Sequence, residues 1–290
     1  MSATIKQGPH VSAFESDAMA QLHEEVKEKE ARGQVRVVKW ESIRDNPPQE
    51  LKVSPIAMIP HKSRKYRAIL YLSFECRLSN NKHIASVNAT TVKTAPRGAC
   101  DQMGHSLLRV IHAFAEADEK MPDAKIFSAK WDVKDGFWRL VCEEGEEWNF
   151  AYVLPQKEGE PVKLVIPTSL QMGWIESPPY FCAASETARD VAEQYVETPV
   201  GTTAEHKFQA HTRGSNEYEG LPSRSDGECF RYMIEVYVDD FIALAIAISK
   251  DQLDYVAGGV MHGIYDAILP SDDKDDDTIS MKKLTKQEGT

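Results

Sequence analysis

The run from Arg231 to Ile248, RYMIEVYVDDFIALAIAI, constrains this chain most, because two adjacent carboxylates interrupt an otherwise apolar stretch. Ionised carboxylates among apolar groups are costly unless something compensates them. Asp tolerates turn geometry, so Asp239 and Asp240 read as the joint of a tight hairpin between two apolar strands. A turn explains where the pair sits but gives its charges no task. Another acid does: KIFSAKWDV reads as a short strand ending in Asp132. Two strand ends in one antiparallel sheet bring carboxylates from distant sequence to one spot. Carboxylates gathered there repel, so some ionise poorly or a cation holds them. Hard divalent cations take oxygen ligands and bridge carboxylates to phosphates. Two such ions, ~3.5–4 Å apart, stabilise the attacking and leaving oxygens of an in-line phosphoryl displacement. That is a task for Asp132, Asp239 and Asp240.

The rest of the chain sets that hairpin in an α+β protein built around an antiparallel sheet. Residues Phe14 to Arg32 read as an exposed helix, and Asn46-Pro47-Pro48 as a break, separating a helical and linker segment (1–50) from the remainder (51–290). SPIAMIPHKSRKYRAILYLSF predicts a hairpin with a basic tip at Lys62 to Lys65. MGHSLLRVIHAFAEA places Leu107, Leu108, Ile111, Phe114 and Ala115 on one helical face. WNFAYVLP and VKLVIPTSL predict a strand pair. ESPPYFCAASETARDVAEQYV predicts a helix capped by Ser177, with Phe181, Ala184, Ala188, Val191 and Tyr195 at helical spacing. A polar insertion follows from Glu197 to Glu228. DQLDYVAGGVMHGIYDAI predicts another helix, SDDKDDD a solvated loop, and ISMKKLTKQEGT the start of one more strand.

Composition narrows the function classes. The 290 residues are 42% hydrophobic, enough for a real core, so a wholly disordered chain is excluded. Five widely spaced cysteines make no C-x-x-C pair and read as reduced thiols. Neither a signal peptide nor a membrane-span-length apolar run is present, which predicts an intracellular protein without a membrane partner. The net charge of −11 argues against a general nucleic-acid binder, but Lys52, Lys62, Arg64, Lys65, Arg67 and Arg77 form a local basic segment able to meet a polyanion.

Four segments, in order, carry a family resemblance: KSRKYRAILYLSF, KWDVKDGFWRL, QMGWIESPPYF and VYVDDFI. Together they resemble the fingers grip, first palm aspartate motif, G-x-x-x-S-P segment and Y-x-D-D signature of reverse transcriptases, nearest to those of LTR retrotransposons and retroviruses. The resemblance spans roughly Val53 to Gln287. It implies right-hand polymerase fingers and palm, the palm an antiparallel sheet backed by helices, with the chain stopping before a thumb. It also implies an RNA-directed DNA polymerase that uses two Mg²⁺ (or Mn²⁺) ions. Its partners would be deoxynucleoside triphosphates, an RNA or DNA template–primer and the rest of a polyprotein. In this carry-over Asp132 and Asp239 bind both metals, Asp240 completes the cluster, and the Val133 carbonyl faces a metal. Phe137 falls at the gate against a ribose 2′-OH, and Asp135 and Gly136 line the triphosphate pocket. Lys65 and Arg67, with Lys62, hold the triphosphate, since an Arg fork suits phosphate. Tyr237 and Gly173 lie against the primer end and the template base pair.

Each feature has a structural reading beside the functional one. Phe137 and Trp138 fit a core, Gly173 and Ser177-Pro178 a loop and a cap, and Lys62 to Arg67 a solvated tip. The pattern departs from the family at Tyr71, where an Asp is usual, and at Met172, where retroviral relatives often carry Gln. Two other classes stay open: an inactive retroelement remnant or nucleic-acid-binding module keeping the palm fold, and an unrelated two-metal nuclease.

Overall fold

A computed structural model describes residues 2–62, 65–77, 83–122, 125–198, 203–213, 216–223, 231–246, 249–268 and 277–284. Its main elements in chain order are helix α1 (Ser16–Ala31), strands β1 (Val35–Lys39), β2 (Ile56–Pro60) and β3 (Tyr66–Leu70), helix α2 (Ser106–Lys120), strands β4 (Ile126–Asp132), β5 (Tyr152–Val153) and β6 (Lys163–Pro167), helix α3 (Ser177–Glu197), strands β7 (Arg231–Tyr237) and β8 (Asp240–Ile246), and helix α4 (Lys250–Ala267). The fold is α+β, and every ladder between these strands is antiparallel. Two compact units divide it: Met1–Thr94 with Phe137–Ser177, and Ala95–Gly136 with Pro178–Thr290. Residues 1–50, set apart in the sequence as a helical and linker segment, thus fold into the first unit.

In the first unit the sheet order is β1-β6-β5, and β2 pairs with β3 as the hairpin predicted from the sequence. Tip residues Ser63 and Arg64 lie outside the described residues. Strand periodicity divides the apolar side chains between two layers. Val35, Tyr152 and Val165 join a core cluster with Ile56, Met58 and Leu70, while Val153, Leu164 and Ile166 join a second with Leu51 and Val53. Helix α1 is not the exposed helix expected. Ala18, Leu22 and Val26, four residues apart, are buried in the first cluster. Three residues make a narrow stripe, which the surrounding Glu and Lys conceal in composition.

In the second unit the sheet order is β4-β8-β7. Cross-strand partners share a face, so Trp131, Phe241 and Val236 form one buried row. Asp132, Asp240 and Tyr237 form the next row, on the opposite face. Helix α4 packs on β8 and approaches α3 closely through glycines. A Cβ on Gly259 would lie 2.5 Å from Val196 Cγ2, and one on Gly263 would lie 2.6 Å from the Ala188 carbonyl oxygen. The buried stripe of α3 runs Phe181, Ser185, Ala188, Ala192 and Val196, whereas Ala184, Val191 and Tyr195, read as its core face, are only partly buried. Those small residues are what let the glycine face of α4 in. Ser177 is the first helical residue of α3 and no cap; its hydroxyl donates to the Gln171 carbonyl at 2.8 Å.

Helix α2 forms as expected, but its apolar face does not enter a core. Leu107, Leu108, Ile111 and Phe114 are exposed, and Ser106 and Ala117 are buried instead. A bidentate ion pair sets this roll: Arg109 Nε and Nη2 donate to the two carboxylate oxygens of buried Glu235 on β7, at 2.5 and 2.6 Å.

The described part of the polar insertion packs on α4. Arg213 and Tyr218 both donate to the Asp254 carboxylate, at 2.8 and 2.9 Å, and buried His206 sits among the rings of Phe208, His262 and Tyr265. The SDDKDDD loop lies outside the described residues up to position 276. The strand expected after it is a single bridge, Ile279 to Val133, before a helical turn at Met281–Leu284. Cys76, Cys100, Cys142 and Cys182 are free thiols; Cys229 lies outside the described residues. No described helix is long and apolar enough to cross a membrane.

Two stability measurements check this packing. Gly263→Ala must push α4 off a backbone oxygen, so it should destabilise the protein by about 1–3 kcal/mol in chemical denaturation; a neutral effect would mean the helices separate freely. Burial beside His262 and Lys207 pushes the His206 pKa down to about 4 from 6.5. Between those values the unfolded chain binds more protons than the folded one, so stability falls as pH drops from about 6.5 toward 4. His206→Phe should flatten that slope in urea unfolding curves taken across this range.

Candidate metal centre

Sheet register brings the three aspartates together. Asp132 is the last residue of β4, Asp240 is the first of β8, and they pair directly across the ladder. Asp239 occupies the turn between β7 and β8. One carboxylate oxygen from each lies within 4.8 Å of the others. Asp132 is buried and the other two are partly buried.

Backbone hydrogen bonds hold this arrangement from several sides. The Val133 N–H donates to the Asp239 carbonyl at 2.9 Å, extending the β4–β8 ladder past its last aspartate. On the other edge, Ser280 N–H donates to the Asp132 carbonyl (2.9 Å) and Lys134 N–H to the Thr278 carbonyl (2.8 Å). The segment after the acidic loop therefore closes the edge of β4 beside the cluster.

The turn itself is strained. Val238 has φ +59°, a left-handed conformation that β-branched residues rarely adopt and that costs on the order of 1–3 kcal/mol. Two groups hold it there. Ser185 Oγ, fully buried on α3, donates to the Val238 carbonyl at 2.7 Å, and the Val238 N–H donates to Met103 Sδ at 3.2 Å. Asp135 is also left-handed, at φ +58°, in the turn after β4. Gly136 follows it, and a Cβ there would lie 3.2 Å from Phe181 Cζ and 3.7 Å from Asp239 Cβ. Gly136 is thus a close-approach glycine against the cluster. Tyr237, half exposed, stands on the same face directly across from Asp240.

The donor set fits a hard divalent cation. Among the described residues it consists of carboxylate oxygens alone, with no imidazole or thiolate, and Asp240 Oδ1 is a buried oxygen without a hydrogen-bond donor. Asp240 Oδ2 meets the Lys130 ammonium at 2.7 Å. Lys130 went unnoticed in the sequence, although strand periodicity supplies the signal: two residues before Asp132 it must share that residue's face. Ser185, Met103 and the 278–280 segment carried no comparable local signal, because each reaches the turn from distant sequence.

The remaining predicted site residues belong to the first unit. Lys62 is exposed, and Lys65 is ion-paired with Asp17 on α1. Arg67 Nη2 donates to Met172 Sδ at 2.9 Å, next to Gly173, whose φ is +101° and whose carbonyl accepts from Asn88 Nδ2 at 2.9 Å. Adding a Cβ to Gly173 would bring it 3.2 Å from the Leu70 carbonyl oxygen, so the loop rests against the end of β3. Phe137 opens the second stretch of that unit and is partly buried.

Loss of the Ser185 hydroxyl removes a donor from a partly buried carbonyl in a strained turn. Ser185→Ala should therefore cost about 1–3 kcal/mol in urea unfolding; a change within error would mean that the sheet register alone holds Val238. In comparisons with known proteins no family model matches this chain, and no curated protein matches it.

Proposed function

We propose that the chain is the fingers–palm portion of an RNA-directed DNA polymerase of the LTR-retrotransposon and retrovirus-like type, adding deoxynucleotides to a primer 3′-OH. One observation carries this reading. The acids of two sequence motifs resembling that family, KWDVKD and YVDD, converge within 4.8 Å at one end of an antiparallel sheet. A shared carboxylate cluster is what two-metal phosphoryl transfer needs, and a chance pair of turn aspartates would not require Asp132 to lie opposite them.

Bound Mg²⁺ would supply charge neutralisation at the phosphorus and a more acidic primer hydroxyl. The protein's own groups do the rest by positioning. Asp132 and Asp239 would hold the ions, the Val133 carbonyl would offer a further oxygen, and Asp240 would complete the charge. Asp135 and Gly136 offer backbone N–H groups to the triphosphate. Phe137, next in sequence, stands against a ribose 2′-OH, and Tyr237 supports the primer end. Within the first unit, Lys62, Lys65 and Arg67 would bind phosphate, Lys65 exchanging its exposed partner Asp17 for it. The template–primer is RNA or DNA.

The test is primer extension on an RNA template at low salt with Mg²⁺ or Mn²⁺. Wild type should extend the primer and Asp239→Asn, which removes a ligand charge at nearly constant volume, should lose at least about 100-fold in rate. Equal extension by the two proteins would refute the metal assignment. If neither extends, primer–template binding measured by fluorescence anisotropy separates weak substrate grip from an inactive remnant.

A further inference from the structure

A lysine already meets the cluster. Lys130 lies on β4 opposite Ile242, and Asp240 lies on β8 opposite Asp132, so the two form a diagonal pair on one face of the sheet. Their contact is 2.7 Å, and it engages only one oxygen of Asp240; the other, Oδ1, is buried without a hydrogen-bond donor among the described residues. The lysine side chain is 56% exposed and the aspartate side chain 27%. That exposure matters, because a half-solvated ion pair is held weakly and exchanges readily. Three carboxylates within 4.8 Å repel one another, and a neighbouring ammonium offsets part of that charge.

From this geometry we infer that Lys130 is a positioning residue that competes with a bound ion for Asp240. This inference rests on the metal reading of the cluster. The resting centre then binds its first divalent ion through Asp132 and Asp239. Asp240 joins only when the ion displaces the ammonium into solvent, which the exposure of Lys130 allows without disturbing the buried row of Trp131, Phe241 and Val236 behind it. Lys130 thus lowers cation affinity at rest while keeping the third carboxylate in place. The third aspartate is conditional on the lysine rather than a fixed ligand.

A double-mutant cycle on the full chain tests this, with Mn²⁺ as the probe and its free ion quantified by electron paramagnetic resonance. Lys130→Met should tighten Mn²⁺ binding by about threefold or more, and Lys130→Gln should do the same. Relative to Asp240→Asn alone, adding Lys130→Met should bring no further gain. Lys130→Arg, which keeps the charge, should stay near wild type. Unchanged or weaker binding by both neutral lysine variants would overturn the proposal. So would a gain that survives Asp240→Asn, since that is only a general loss of positive charge. Asp132→Asn separates the two readings. If wild type shows no Asp132-dependent Mn²⁺ binding, the metal assignment fails and the lysine role with it. Asp132-dependent binding that ignores Lys130 sinks the lysine role alone.

Discussion

The pairing of Asp132 with Asp240 across β4 and β8 is the constraint on which the rest of the second unit depends. A slip of one residue in that ladder would turn every side chain to the opposite face. It would expose Trp131 and Phe241, both almost fully buried, and drive the aspartates into the apolar row. The apolar cost of that exchange fixes the register, and the register fixes the carboxylates. Hydrophobic burial on one face of the sheet therefore enforces a costly gathering of charge on the other.

The turn carrying Asp239 shows where the remaining tension goes. Val238 sits in a conformation its side chain opposes, held by a hydroxyl from α3 and a thioether from Met103. Helix α3 can deliver that hydroxyl because α4 braces it at close range through Gly259 and Gly263. The glycines, the small residues of α3 and the strained turn form one connected chain of contacts. A further buried charge pair, Arg109 with Glu235, sets the roll of α2 against β7. Removing one partner of such a pair leaves an uncompensated charge, so the pair fixes orientation more than it adds stability.

Much of this was legible in the chain itself. The apolar runs IAMIP and YRAIL on either side of a basic turn specify a hairpin, and that hairpin forms. KIFSAKWD is a strand ending in its acid, and the hairpin joint falls one residue before the expected Asp239-Asp240 pair, at Val238-Asp239, with Asp240 opening β8. Helices α3 and α4 form where their local apolar spacing places them, to within a few residues, although Ser177 does not cap α3. Each of these depends on periodicity or turn preference over a few neighbouring residues. The candidate centre was readable for the same reason, since strand ends and turns are local features and their acids come with them.

What only the tertiary structure decided concerns faces, partners and backbone strain. Apolar spacing shows that α2 has a greasy side but not that an Arg109–Glu235 pair, 126 residues apart, leaves that side exposed. It hides the three buried residues of α1 among charges, because burial depends on what the helix meets. The union of β1 with β6, the left-handed Val238 and the Ile279 bridge each require segments far apart in sequence. The sequence by itself determined the strands, the turns and which acids stand at their ends, since these follow from local sterics and side-chain period. The fold decided which of those groups meet, including Lys130 with Asp240, since hydrogen bonds and ion pairs form by distance in space, whatever the separation along the chain.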